Sequence, residues 1–369
     1  MQTSSYSVSE FSSFAEMPSS CRELMQAAES QSLFLGLTWF EIFAATVVEA
    51  GSRLRIVVLS ESQSGIAVAV FPLWQAKRRP QLNSLSNYYS SFYAPVIAES
   101  VLNDEERLSR LFDEFLTHFL LEQNVISLDL RPLQHPAAWV EQLATAAKRH
   151  GLYSQSYFCF GNWYLPVTGN DAASYLAMRP SRLRNTLKRK HNQLQAQGGY
   201  QIRIITKTDE LAQAYPQYQK IYQNSWKRDE SHPAFIEHLL YDFAARGQLR
   251  LGLLDIKGEA AAAQIWLVVN TTASIYKLAY DEKFAAFSVG SLLTQAMFSH
   301  VLEREKLGEI DFLSGDDAYK KDWMSQRRER WGVLLINRRT PLGFLLYLRH
   351  SVPARFKQWL AKGDASAEK

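Results

Sequence analysis

Two stretches of the chain share one pattern of apolar and polar positions. Residues 53–74, RLRIVVLSESQSGIAVAVFPLW, and residues 249–269, LRLGLLDIKGEAAAAQIWLVV, each read as two apolar runs around a polar turn with a glycine, Gly65 or Gly258. Runs of that length broken by turn formers predict β-hairpins. A further strand-like segment follows each hairpin, near 82–97 and near 273–280, and then a helical pattern, near 103–122 and near 289–306. Each helix leads into a short strand with one aspartate, VISLDL with Asp129 and EIDFL with Asp311. A helix (136–150 and 316–327) and an aromatic, apolar strand (155–165 and 331–338) complete each copy. The repeated order predicts an α/β protein of two tandem domains, each a mixed twisted sheet flanked by helices.

Turn formers cluster in PVTGNDAAS, 166–174, which places the boundary there. The expected domains are 1–165 and 166–340. Residues 341–369 are expected to return as a helix onto the first domain and to end in a disordered tail. A chain of 369 residues is too long for one ordinary core, and 47% hydrophobic residues suffice for two. Two cysteines, Cys21 and Cys159, make no disulfide framework, and no CxxC or Cys/His spacing points to a metal. A net charge of +4 permits anionic ligands without demanding nucleic acid.

The opening MQTSSYSVSEFSSF has no basic segment followed by an apolar one, and no apolar run reaches about 18 residues, so a cytoplasmic location is expected. The segment 342–362 joins apolar residues to Arg349, Arg355, Lys357 and Lys362, which leaves peripheral contact with the inner face of the plasma membrane open.

Chemistry concentrates between Tyr276 and Trp323. Ser288, Gly290 and Ser291 fall where a helix begins, and the free amides and positive dipole end there suit a phosphate. The corresponding helix of the first half opens with Asp104, Glu105 and Glu106, which would repel one. The donor site is therefore expected in the second half; an ordinary serine cap is the plainer alternative. No GxSxG, GxxxxGK[ST], HExxH or GxGxxG motif is present.

The hairpin, the YKLAYD strand, the S-x-G-S-L-L helix start and the segment D-F-L-x-G-D-x-x-Y-K-x-x-W resemble the GNAT-type acyltransferase superfamily. The resemblance is to its double-domain branch, nearest the CelD-like cellulose-biosynthesis proteins and more distantly the Fem aminoacyl ligases. Ser288-Val289-Gly290 departs from the usual S-P-G of that family but keeps the glycine. The resemblance implies transfer from acetyl-CoA or another acyl-CoA to an anionic sugar, polysaccharide precursor or lipid-linked glycan of the cell envelope, without a metal. A tRNA-borne donor, as in the Fem ligases, and a non-catalytic scaffold in an exopolysaccharide system are its alternatives.

On this reading Ser288, Gly290, Ser291 and Leu278 hold the donor, and Tyr319 protonates the departing thiolate. Asp316, or its neighbour Asp317, is a candidate base, which requires a raised pKa. Both aspartates also read as helix caps spaced i,i+4 from Lys320 and Lys321, and Tyr319 as a ring packed beside Trp323. Lys320 matches the lysine of the Fem pattern F/Y-K-x-x-F/W and is expected to neutralise donor or acceptor charge. Gln264, Lys277, Tyr280 and Trp323 are expected at the acceptor cleft. Arg182 is also expected to bind the acceptor. It belongs to a basic helix, 179–191, with an apolar stripe of Leu183, Leu187 and Leu194. Such a helix suits a phosphate, tRNA or an anionic lipid-linked sugar, a solvated helix face being the plainer alternative.

Overall fold

The computed structural model describes residues 5–118, 125–169 and 171–351. The chain divides into two compact units, Met1–Cys159 with Arg330–Lys369, and Phe160–Glu329. The first contains β1 (Tyr6–Phe11), α1 (Ser19–Glu29), α2 (Leu37–Thr46), β2 (Arg53–Glu61), β3 (Ala67–Gln75), β4 (Gln81–Ser84) and β5 (Val96–Ile97). It continues with α3 (Glu99–Leu102), α4 (Glu105–Leu116), β6 (Ser127–His135) and α5 (Ala138–Arg149). Strand β7 (Tyr153–Pro166) leads into the second unit. There follow α6 (Ala172–Ala177), α7 (Ser181–Ala196), β8 (Gln201–Ile205), α8 (Thr208–Gln223), α9 (Pro233–Ala245), β9 (Leu249–Ile256) and β10 (Glu259–Val269). The last elements are β11 (Thr272–Tyr280), α10 (Val289–Arg304), β12 (Glu309–Asp311), α11 (Lys320–Trp323) and β13 (Gln326–Ile336), which returns to the first unit.

In the first unit the hairpin β2–β3 is flanked by β1 and by β4, both antiparallel, and β4 pairs in parallel with β6. The strand expected over 82–97 is present only as β4 and β5, with irregular chain between them. Tyr93 within that stretch is fully buried and donates its hydroxyl to the Pro72 carbonyl, so side-chain anchoring replaces the ladder. Residues 119–122, the end of the helix expected over 103–122, lie outside the described residues, as do Arg355, Lys357 and Lys362 and the tail. A helix over 341–351 packs within this unit through Tyr347, 5.0 Å from the Tyr153 ring.

The second unit has the sheet order β7, β12, β11, β10, β9, β8. Pairing of β8 to β9, β9 to β10 and β10 to β11 is antiparallel, whereas β11 to β12 is parallel. Strand β10 is buried almost end to end because helices cover both faces, α8 and α10 each packing on it. At Gly252 a Cβ would lie 2.5 Å from Met297 Sδ, so the glycine lets α10 approach β9. The leucine stripe of α7 is buried as its spacing requires.

The helix expected over 316–327 is reduced to the single turn α11, and β13 starts at Gln326 rather than 331. Ion pairs explain the difference. Arg328 reaches Glu309 and Asp311, and Arg327 reaches Asp316, which holds this stretch extended against the sheet.

Candidate active site

Strand β11 pairs with β12 only over Thr272–Ser274, and then the two part. Across the sheet, Trp266 faces Ile275 and Ile265 faces Lys277, so Tyr276 is an extra, bulged residue. A bulge bends its strand and ends regular pairing, and here it falls just beyond the last β12 partner. Residues Tyr276, Lys277 and Leu278 are consequently half-buried, in contrast to the buried Ala273–Ile275 before them. Beyond Ser274, among the described residues, no ladder joins β11 to the loop 312–319 that follows β12, and this splay is the wedge.

The loop wall is tightly pinned. Asp311 accepts hydrogen bonds from Asn162 Nδ2 (2.5 Å), the Leu313 amide (2.7 Å) and Arg328 Nη2 (2.5 Å). Lys320, 4% exposed, donates to the carbonyls of Phe312 (3.3 Å), Ser314 (2.5 Å) and Gly315 (3.3 Å), with Asp317 at 3.6 Å. Its ammonium thus holds the loop and has no donor left to direct at a ligand's charge, contrary to the expectation for this residue. Trp323 is 3% exposed and stacks on Phe298, with its carbonyl accepting from Tyr175 and Arg179, so it is core rather than cleft.

Asp316 is also reassigned. It accepts from Trp163 Nε1 (2.6 Å) and from Arg327 (2.9 Å), and these bonds, that of Arg327 foremost, hold its carboxyl below the ordinary range. A base needs the opposite shift. Tyr319 is 42% exposed on the loop, edge-on to Phe312. Desolvation, and then the charge of Asp317, push its phenol above the usual value, so it stays protonated.

The far end of β11 leads through a 3-10 turn over Glu282–Phe287 into α10. Ser288 turns the chain with φ of 52°, a left-handed conformation uncommon for serine. Its side chain caps nothing, while its carbonyl accepts from the Ser291 and Leu292 amides. The amides of Val289 and Gly290 are thus left as donors at the positive end of the helix. The opening of α4 is different: Asp104 accepts from the amides of Glu106 and Arg107 and closes that helix end.

A Cβ on Gly290 would meet the Tyr280 ring at 3.3 Å, so Tyr280 shapes the floor beside the amides. Helix α7 runs past the same turn, with Lys190 donating to the Ala286 carbonyl. Arg182, near the start of α7, pairs with Asp322 at 3.0 Å and is otherwise exposed.

Gln264 is 1% exposed and fully occupied. Its amide nitrogen donates to the Gly290 carbonyl (3.1 Å) and Thr294 Oγ1 (2.7 Å), and its oxygen accepts from Trp266 Nε1 (2.9 Å). It fixes the first turn of α10 to β10 and is not an acceptor contact. Leu278 packs against the core of this unit. Lys277 pairs with Glu230 and lies 5.1 Å from the centre of the Tyr222 ring.

Sequence reasoning missed the segment that carries Glu230. Residues 224–232 join α8 to α9 and lie along β11. Asn224 donates to Asp281 (2.8 Å), the Glu282 amide donates to the Asn224 carbonyl (3.2 Å), and Trp226 is 4.5 Å from the Tyr280 ring. Beside Glu230 a cavity of about 180 Å³ is lined by Tyr215, Tyr218, Tyr222, Pro233 and Ile236. The available signal was a charged stretch, SWKRDESH, between two helices, which any solvated loop would share.

Residues 181–321, which hold almost all of this wedge, match the family model of the GNAT acetyltransferase domain. No curated protein matches the chain. Among solved structures the fold is similar to that of FemX, with 12% identity, a TM-score of 0.62, and coverage of 93% of this chain and 99% of that one. A conserved protein of unknown function from Bacteroides thetaiotaomicron is similar at 11% identity and a TM-score of 0.55, covering 87% and 98%. The C-terminal domain ascribed to a lysylphosphatidylglycerol synthetase of Agrobacterium fabrum is similar at 12% identity and a TM-score of 0.52, covering 89% and 95%. Residues 181–321 thus match a GNAT acetyltransferase domain, and the fold of the chain is similar to that of FemX.

Proposed function

We propose that the chain takes an acyl group from acyl-CoA and passes it to an amine or hydroxyl of an anionic cell-envelope or polysaccharide precursor. One observation carries the donor assignment. Helix α10 opens with no side-chain cap at the end of the wedge, whereas α4 is closed by Asp104. A diphosphate on the Val289 and Gly290 amides gains charge-assisted hydrogen bonds and the helix dipole together.

The thioester then extends along the edge of β11 at Tyr276–Leu278, past its last β12 partner, toward the loop wall. The acceptor approaches from the side of residues 224–232, where Glu230 meets β11 and the tyrosine-lined cavity has room for a ring. The acceptor's nucleophilic atom adds to the thioester carbonyl, the C–S bond breaks, and the thiolate takes a proton. Tyr319 is the donor we assign to that proton; the acceptor's own proton leaves to solvent, and Glu230, held by Lys277, orients the acceptor.

Isothermal titration with acetyl-CoA tests the donor assignment, with aminoacyl-tRNA titrated in parallel. Saturable heat with acetyl-CoA is expected. Its absence, or binding of aminoacyl-tRNA alone, removes the acyl-CoA reading.

A further inference from the structure

Of the lysines Lys277, Lys320 and Lys227 around the wedge, the first two have partners among the described residues. Lys277 is paired with Glu230, and Lys320 is bonded to three carbonyls and lies 3.6 Å from Asp317. Lys227 has no carboxylate, carbonyl or hydroxyl on its ammonium among the described residues. It is half-buried, with Nζ 5.8 Å from the centre of the Tyr222 ring and 5.7 Å from that of Trp226.

Its ammonium feels the charges of both walls, Lys277 and Glu230 on one side and Lys320 and Asp317 on the other. The ammonium groups of Lys227 and Lys277 lie 5.8 and 5.1 Å from the centre of the same Tyr222 ring, which places Lys227 beside the Lys277–Glu230 pair, on the acceptor's side. Two aromatic faces stabilise a cation modestly, and they do not replace lost hydration. Burial, reinforced by Lys277, brings its pKa down to about 8.

We propose that Lys227 is the anion-holding residue of the acceptor subsite, gripping a carboxylate or phosphate carried by the acceptor, with Trp226 and Tyr222 as apolar walls. The inference rests on the acyl-transfer reading for the word acceptor, but its test does not. An anion bound at Lys227 restores the charged form, so its titration midpoint moves up while that of exposed lysines stays put.

The measurement is NMR of the whole chain labelled with [ε-13C]lysine, titrated with pH alone and then with inorganic phosphate, acetate or acetyl-CoA. Lys227→Arg identifies the signal. Without anion its midpoint is expected near 8. With phosphate or acetate it is expected to rise by about one unit at saturation, and whichever of the two acts at the lower concentration identifies the acceptor's group.

A rise common to exposed Lys188 and Lys321 is screening and overturns the proposal, as does no rise. A rise with acetyl-CoA alone assigns Lys227 to the donor and overturns it too. Titration calorimetry of Lys227→Met with acetyl-CoA separates the two readings. Retained donor binding with a silent Lys227 sinks only this inference, and loss of donor binding in the unaltered protein sinks only the function proposed above.

Discussion

Gly290→Asp puts the donor assignment at risk most directly. The new carboxylate stands in the first turn of α10, beside the amides assigned to the diphosphate. Its Cβ lies 3.3 Å from Tyr280 Cδ1, so the ring must yield by a few tenths of an ångström. Helix stability does not suffer. An acid in the first turn gains about 0.3–1 kcal/mol from the dipole, and replacing glycine inside a helix is itself favourable.

Binding of the donor should suffer. At about 6 Å and an effective dielectric constant of about 20–40, two unit negative charges repel by roughly 1.4–2.8 kcal/mol. That corresponds to a loss of about 10- to 100-fold in affinity for acetyl-CoA. The assay is calorimetric titration beside a thermal melt, with Gly290→Ala as the control for the Tyr280 contact. Unchanged affinity in the aspartate variant refutes the amide cradle. An equal loss in the alanine variant shows that ring displacement, and not charge, was responsible.

Three further outcomes are expected. Tyr319→Phe should lower kcat by about 10²-fold, the smaller end of general-acid effects, with an unchanged melting temperature because the residue is exposed; an unaltered kcat removes it as the proton donor. Lys320→Met strands three loop carbonyls and should cost about 2–4 kcal/mol, read as a lower melting temperature and faster amide exchange over 312–317; a melt equal to the parent's shows that it does not pin the loop. Burial raises the carboxyl of Asp129 despite its bond from Tyr157, so the folded state favours the protonated acid. That contribution is full below the unfolded value of about 3.9 and is lost as pH rises through the higher folded value. Asp129→Asn keeps an acceptor for Tyr157 and should melt at or above the parent at pH 7, the gap closing in acid; a lower melt at pH 7 contradicts the sign.

The wedge shows where reading from sequence stops. The two hairpins, the helix at 289 and the acid-capped start of α4 were legible because each follows from local periodicity, turn residues or charge within one turn. Gln264, Lys320 and Trp323 were misassigned for a common reason. Polar or aromatic groups near a motif look available until their partners are known, and those of Gln264 and Trp323 lie elsewhere in the fold. Gln264 meets Gly290, 26 residues on, and Trp323 meets Tyr175, 148 residues back. Lys320 bonds to backbone and to Asp317 within eight residues of itself, but whether those groups converge depends on the left-handed Leu313 and the positive φ of Gly315. Asp316 failed as a base because of Arg327, which the sequence reading had placed in a helix.

From its sequence alone the chain is recognisable as a tandem α/β protein with an uncharged helix opening in its second half. Apolar spacing and capping chemistry act over a few residues, and they are written directly in the order of side chains. The parting of β11 from β12, the bulge at Tyr276 and the meeting of residues 224–232 with that edge exist only in three dimensions. A side chain's partners fix its charge and its freedom, and across 47 residues, as between Glu230 and Lys277, only the folded sheet supplies them.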